Sequence, residues 1–160
     1  MCGIFGIISP KNINYTDLRW LAKCAKQRGK DSSGLIYKAD ENYVVERENN
    51  DIIKLLDKHK NLKTNILFGH SRLITNGLGD NQPVVKGGLA VLHNGIIVNS
   101  DELWNDYDVK REYLIDSEII LGIAISFLKN SEDLNQLSSE ILQKCKGTIS
   151  ATIIIPYLGK

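Results

Sequence analysis

Cys2-Gly3-Ile4-Phe5-Gly6-Ile7-Ile8 opens the chain and closes at Ser9-Pro10. The run is apolar and β-rich, so it reads as a strand that starts almost at the N-terminus and holds the terminus in place. From Thr16, which reads as an N-cap, Leu18, Leu21, Ala22 and Ala25 recur at i, i+3, i+4 and i+7, and Gly29 follows as a stop. That is a helix. The turn Lys30-Asp31-Ser32-Ser33-Gly34 leads into two β-type runs, Leu35 to Lys38 and Tyr43 to Glu48, which the polar Ala39-Asp40-Glu41-Asn42 joins as a hairpin.

Working onward, Asp51 to His59 reads as a short helix, and Ile66 to Ser71 and Leu89 to His93 read as strands. A Gly/Asn-rich connection from Asn76 to Asn81 and a turn at Gly87-Gly88 lie between those strands. Asn99 with Glu102 has the spacing of a capping box, which predicts a short helix. Asp116 to Asn130 and Ser131 to Lys146 each carry an apolar face at helical spacing, Gly147 ends the second, and Ala151 to Ile155 reads as a buried strand closed by Pro156. Strands, then helices, then a strand, without βαβ alternation, predict an α+β fold with mostly antiparallel sheets. There is no internal repeat and no linker.

The 160 residues suit one domain of ordinary size, and 42% hydrophobic with 24% charged residues exclude disorder and low-complexity assemblies. A formal charge of +1 without a dense Lys/Arg patch argues against nucleic acid as a partner. The longest strongly apolar stretch, Ile119 to Leu128, is about half of the roughly 20 residues a spanning helix needs, so no membrane segment is expected. The N-terminus lacks the basic start and long apolar core of a secretory signal, which makes the cytoplasm the expected location. Cys2, Cys24 and Cys145 show no metal-ligand spacing and leave one thiol over under any pairing, which suits a reducing compartment. No metal and no cofactor are expected.

Several residues carry both a plain and a chemical reading. Cys2 is plainly a small apolar residue at the head of a strand. After loss of Met1 it would instead hold a thiol and a free α-amino group on one residue, and an amine of pKa near ~7.7–8.0 is a base poised for a thiol near ~8.5. Arg28 to Gly34 is plainly a helix-to-strand turn. Arg72, at the end of a strand and followed by Thr75 and Asn76, is plainly an ion-pairing group; chemically, its planar guanidinium offers paired donors to a carboxylate. His70 and His93 read as core histidines. His93-Asn94-Gly95 is plainly a tight turn, while the Asn94 amide and the Gly95 N–H together suit a developing oxyanion. Asp116 is plainly an N-cap, and chemically a partner for an ammonium group.

The joint occurrence of these blocks is informative. Cys2-Gly3-Ile4-Phe5-Gly6 at the terminus, Arg28 to Gly34, Gly69 to Gly77, His93-Asn94-Gly95-Ile96-Ile97 with Asn99 and Leu103, and Asp116-Ser117-Glu118 follow the order seen in class II glutamine amidotransferases. The chain resembles that N-terminal-nucleophile family over nearly its whole length. The resemblance implies a four-layer αββα sandwich of two mostly antiparallel sheets, and hydrolysis of L-glutamine to L-glutamate and ammonia. By the same resemblance Cys2 is the nucleophile, Asn94 and Gly95 form the oxyanion hole, and Arg72 supported by Thr75 and Asn76 grips the α-carboxylate. Asp116, with Gly95, meets the α-ammonium, and Arg28 organises the nucleophile.

Arg28-Gly29-x-Asp31-Ser32-x-Gly34 and His93-Asn94-Gly95-Ile96-Ile97-x-Asn99 look most like the glutaminase domain of glucosamine-6-phosphate synthase. Leu73 stands where that enzyme has an aromatic residue, and Asn76 where it has a histidine that helps bind the carboxylate. Asn81-Gln82-Pro83 and Asp116-x-Glu118-Ile119-Ile120-Leu121 also resemble asparagine synthetases and amidophosphoribosyltransferases. The family continues with further strands past the one matching Ala151 to Ile155, so the chain reads as the glutaminase core with its last strands and its synthase domain absent. The expected partner is an acceptor-processing synthase domain or subunit. A glutamine-binding module without catalysis is the alternative from another class. Cys24 and Cys145 are expected to be helix-packing thiols.

Overall fold

The computed structural model describes residues 2–73, 80–131 and 133–159. The chain forms two compact units, Met1–Pro83 and Val84–Lys160. The α+β reading holds in both: each unit is an antiparallel sheet with its own helices. Among the described residues no helix is long and apolar enough to cross a membrane.

In the first unit β1 (Gly3–Ile8), β2 (Ser32–Ala39), β3 (Asn42–Glu48) and β4 (Ile66–Arg72) form one sheet in the order β1-β4-β2-β3. Helices α1 (Tyr15–Lys26) and α2 (Ile52–Asp57) pack on it, and Phe5, Leu18, Ala22, Leu35, Leu55 and Leu67 are buried together. The cap of α1 is Asn14 and not Thr16. Asn14 holds extended backbone and its side-chain oxygen accepts the Thr16 N–H at 2.8 Å, which leaves Thr16 inside the first turn.

Strand β2 begins earlier than the β-type run from Leu35 predicts. Ser32, Ser33 and Gly34 pair with Arg72, Ser71 and His70 of β4, so most of the expected turn is ladder. The polar side chains are satisfied there: Ser33 Oγ donates to the Asn50 carbonyl (2.7 Å) and Ser32 Oγ to Asn81 Oδ1 (3.3 Å). Asn81 also donates to the carbonyls of Ser33 and Glu48, tying the segment before Val84 to β2 and β3. Gly34 makes that approach feasible, because a Cβ there would lie 1.9 Å from the Gln82 carbonyl oxygen.

In the second unit β5 (Val84–Lys86), β6 (Leu89–Ile97) and β7 (Gly147–Ile154) form a sheet in the order β5-β6-β7. Strand β5 falls where the sequence pattern predicts only a connection; it is three residues long, too short for a visible alternation. Helices α3 (Ser100–Leu103), α4 (Glu118–Leu128) and α5 (Leu134–Lys144) follow. Val91, Ile97, Ile119, Ile123, Leu137 and Ile141 share the core.

Two expectations are corrected here. The capping box at Asn99 does not form: its amide donates to the Lys144 carbonyl (3.0 Å) and its oxygen accepts the Lys146 N–H (2.7 Å), binding the end of α5 instead of α3. Strand β7 starts at Gly147 and is buried only towards Ile154 and Ile155, because it lies at the edge of its sheet.

The Gly34 contact is directly testable. Gly34→Val is expected to lower the urea midpoint by the equivalent of about 1–3 kcal/mol through overpacking against the Gln82 backbone. A midpoint equal to that of the parent protein would contradict the close approach.

Candidate active site

Antiparallel pairing of β1 with β4 sets Gly3 opposite Ser71. Cys2 is one residue before that pair and Arg72 one residue after it, so a half-buried thiol and a buried guanidinium share one end of adjacent strands. The turn after α1 is stitched to both. Arg28 Nε–H donates to the Cys2 carbonyl (3.1 Å), Ser71 Oγ donates to the Gly29 carbonyl (2.8 Å), and the Asp31 N–H donates to the Arg72 carbonyl (2.9 Å). A Cβ at Gly29 would lie 2.4 Å from the Arg72 carbonyl carbon and the Leu73 nitrogen. Glycine is required by this backbone approach. Leu73 is 42% exposed, and Thr75 and Asn76 lie outside the described residues.

In the second unit the tight turn predicted at Asn94-Gly95 is absent, because β6 runs straight through both residues to Ile97. Asn94, Gly95 and Ile96 pair with Ser150, Ile149 and Thr148 of β7, and this ladder overrides the local turn preference. Asn94 is half-buried and Gly95 exposed. A Cβ at Gly95 would come within 1.8 Å of the Thr148 carbonyl oxygen and 2.7 Å of His93 Nε2.

Asp116-Ser117-Glu118 binds three different partners. Asp116 does not cap α4; its Oδ2 accepts the Ile97 N–H at 2.7 Å, just beyond the end of Asn94-Gly95-Ile96. Ser117 occupies the cap position without a side-chain capping bond, and its Oγ sits 2.9 Å from His93 Nδ1. Glu118 is fully buried, meets Lys86 Nζ at 2.9 Å and accepts the N–H groups of Glu112 (2.9 Å) and Tyr113 (2.8 Å). Burial works against the Lys86 ammonium, yet its bonds to Glu118 and Glu112 outweigh that and raise its pKa. The carboxylate therefore fixes the irregular segment leading to Asp116.

His93 is buried, and burial lowers its pKa against the pull of the Asp116 charge. Cys145 is buried in the second core, where burial and then the Asp116 charge push its thiol up to about 11. Cys24 is exposed, which corrects the packing role expected of it; it lies on the solvent side of α1, away from the buried stripe Leu18, Ala22 and Ala25.

Glu118, Lys86 and Asn81 are the residues that pattern reading left unassigned. A signal existed for Glu118: a carboxylate leading directly into an otherwise apolar helix is costly to bury without partners. Lys86 carries no comparable signal, since its importance comes only from the register of β5 with β6.

This architecture is shared with solved amidotransferases. It matches the glutamine phosphoribosylpyrophosphate amidotransferase of B. subtilis with a TM-score of 0.71 at 22% identity, over 97% of this chain and 35% of that one. It also matches a glutamine aminotransferase class II domain protein of Silicibacter pomeroyi with a TM-score of 0.58 at 14% identity, over 98% of this chain and 73% of that one. The α+β fold is thus one that amidotransferases of known structure share.

No family model matches the chain. Curated relatives do. The glutamine–fructose-6-phosphate aminotransferase (isomerizing) of Buchnera aphidicola is 29% identical over 169 residues, covering 98% of this chain and 27% of that protein. The amidophosphoribosyltransferase of Methanocaldococcus jannaschii is 32% identical over 170 residues, covering 96% of this chain and 36% of that protein. The chain is similar to class II glutamine amidotransferases over nearly its whole length, and it spans roughly a third or less of the length of these curated relatives.

Two outcomes follow from the buried groups. Glu118→Ala leaves the buried Lys86 ammonium with the part-exposed Glu112 carboxylate at 3.3 Å and takes the acceptor from the Glu112 and Tyr113 N–H groups, so it is expected to cost about 3 kcal/mol in chemical denaturation. At pH 8, iodoacetamide should label Cys24 and spare Cys145, whose thiol stays protonated well above that pH; peptide mass spectrometry reads this directly.

Proposed function

We propose that the chain hydrolyses L-glutamine to L-glutamate and ammonia through a thioester on Cys2. The observation that carries this reading is the Arg28 to Asp31 turn, which anchors the Cys2 carbonyl and the Arg72 backbone together at one end of the β1–β4 pair. A thiol carried on the first residue after Met1, at the same strand end as the buried Arg72, suits a small zwitterionic substrate.

In the proposed reaction Arg72, with Thr75 and Asn76, takes the α-carboxylate of glutamine, and Asp116 takes its α-ammonium. The Cys2 thiol passes its proton to its own α-amino group, and the sulfur adds to the side-chain amide carbon. The oxygen of the tetrahedral adduct draws hydrogen bonds from the Asn94 amide and the Gly95 N–H. The Cys2 ammonium then protonates the departing nitrogen, releasing ammonia and leaving the glutamyl thioester. Water adds to the thioester with the same amine as base, and glutamate leaves as the thiol is restored. Arg28 holds the Cys2 backbone through its bond to the Cys2 carbonyl.

The ammonia goes to an acceptor handled by a synthase domain or subunit, and we assign that acceptor as a sugar phosphate. The glutamine–fructose-6-phosphate aminotransferase relatives support the assignment. The 32% identity to an amidophosphoribosyltransferase favours a second reading, in which the acceptor is a phosphoribosyl compound.

Glutamate release by the purified protein tests the core of this proposal. Cys2→Ala should lower release by about 1,000-fold or more, since the covalent route is lost. Protein whose intact mass retains Met1 should be equally inactive. Equal turnover in the parent and in Cys2→Ala would overturn the thioester, and glutamine binding by calorimetry without any glutamate would establish a binding module.

A further inference from the structure

One buried ring in the second unit has no part in the reaction above, yet it stands on the strand that carries Asn94 and Gly95 and touches both that strand's partner β7 and the residue after Asp116. His93 is 2% exposed, with Nδ1 2.9 Å from Ser117 Oγ and Nε2 3.4 Å from the Thr148 carbonyl oxygen. A carbonyl only accepts, so the second contact is a hydrogen bond when Nε2 carries the proton. Burial favours the neutral ring, and a neutral ring protonated on Nε2 presents a lone pair at Nδ1. That lone pair takes the Ser117 hydroxyl proton.

Ser117 has a single hydroxyl proton and a competing acceptor, Asp116 Oδ1, at 3.4 Å. The shorter contact to Nδ1 claims it. On the other side of the ring, the Thr148 carbonyl oxygen and Nε2 are the atoms that crowd Gly95, at 1.8 Å and 2.7 Å from a Cβ placed there. The imidazole therefore braces the Gly95 backbone while it sets the direction of the Ser117 hydroxyl.

We infer that His93, as its neutral Nε2–H tautomer, is a positioning residue with two separable roles: Nδ1 turns the Ser117 hydroxyl away from Asp116, and Nε2–H seats the Thr148 carbonyl against Gly95. This rests on the glutaminase reading for what Asp116 and Gly95 do. The first contact keeps the lone pairs of Asp116 Oδ1 for an ammonium and so acts on substrate affinity. The second holds the Gly95 N–H in place and so acts on the chemical step. With a proton on Nδ1 the chain of bonds reverses, because Nδ1–H would donate to Ser117 Oγ and Ser117 would donate to Asp116 in competition with the substrate.

The tautomer is read from imidazole nitrogen shifts in long-range proton–nitrogen NMR of the full protein at neutral pH, with the His93 signals assigned by their loss in His93→Gln. A protonated Nε2 and a bare Nδ1 are expected; a proton on Nδ1 overturns the inference whether or not the protein turns over glutamine. Kinetics divide the two roles. His93→Asn places an acceptor near the Nδ1 position and should keep KM for glutamine within about threefold while kcat falls about tenfold. His93→Gln places an amide donor near the Nε2 position and should do the reverse, raising KM about tenfold with kcat within about threefold. Equal changes in both variants overturn the division of roles. Absence of glutamate release from the parent protein would sink the glutaminase reading, and the NMR measurement would still decide where the His93 proton sits.

Discussion

The antiparallel register of β1 with β4, which sets Gly3 opposite Ser71, is the constraint on which the first unit depends. A slip by one residue would turn every side chain of β1 to the other face, burying Ile4 where Phe5 now packs and parting Cys2 from the end of β4 that carries Arg72. Contacts on both sides of the strand hold the register. A Cβ at Gly3 would lie 2.4 Å from the Ala25 carbonyl oxygen, so α1 rides directly on the strand, and the turn that follows α1 reaches both Cys2 and Arg72. The helix, the turn and the strand pair thus fix one another.

The second unit solves its own positioning problem with polar groups. Asp116, Ser117 and Glu118 are consecutive, and each reaches a different element: the end of β6, the ring of His93 and the Lys86 ammonium of β5. Ile119, Ile120 and Ile123, immediately after the carboxylate, are fully buried or nearly so. Partners make such burial tolerable: Glu118 has two backbone N–H groups and a lysine around it, while the His93 ring faces a hydroxyl and a carbonyl. The arrangement costs less than isolated charges would, and it leaves the backbone at Asn94 and Gly95 rigidly supported.

Much of the fold was legible in local pattern. The apolar spacing of Leu18, Leu21, Ala22 and Ala25 identified α1, and the short β-type runs Tyr43 to Glu48 and Ile66 to Ser71 identified β3 and β4, because helical and strand patterns are properties of neighbouring residues. The failures share a physical cause. Ser32-Ser33-Gly34 and Asn94-Gly95 have the composition of turns and lie in strands, since distant partners supplied their hydrogen bonds. Asn99 and Asp116 have the spacing of caps, and their side chains bind Lys144 with Lys146 and Ile97 instead. The chemical types at Cys2, Arg72, Asn94 and Asp116 were visible in order along the chain, whereas the service of Lys86, Glu118 and Asn81 was not.

What the sequence determined alone is the longer helices and strands, though not β5, and the ordered blocks that carry the family resemblance, because short-range periodicity and residue chemistry need no neighbours to be read. The tertiary structure decided which polar side chain serves which backbone. Pairing β1 with β4 put Cys2 and Arg72 at one strand end across some seventy residues of chain, and pairing β6 with β7 straightened Asn94-Gly95 against its own turn preference. Those outcomes depend on hydrogen-bond partners remote in sequence, whose combined ladder outweighs the local propensity of two or three residues.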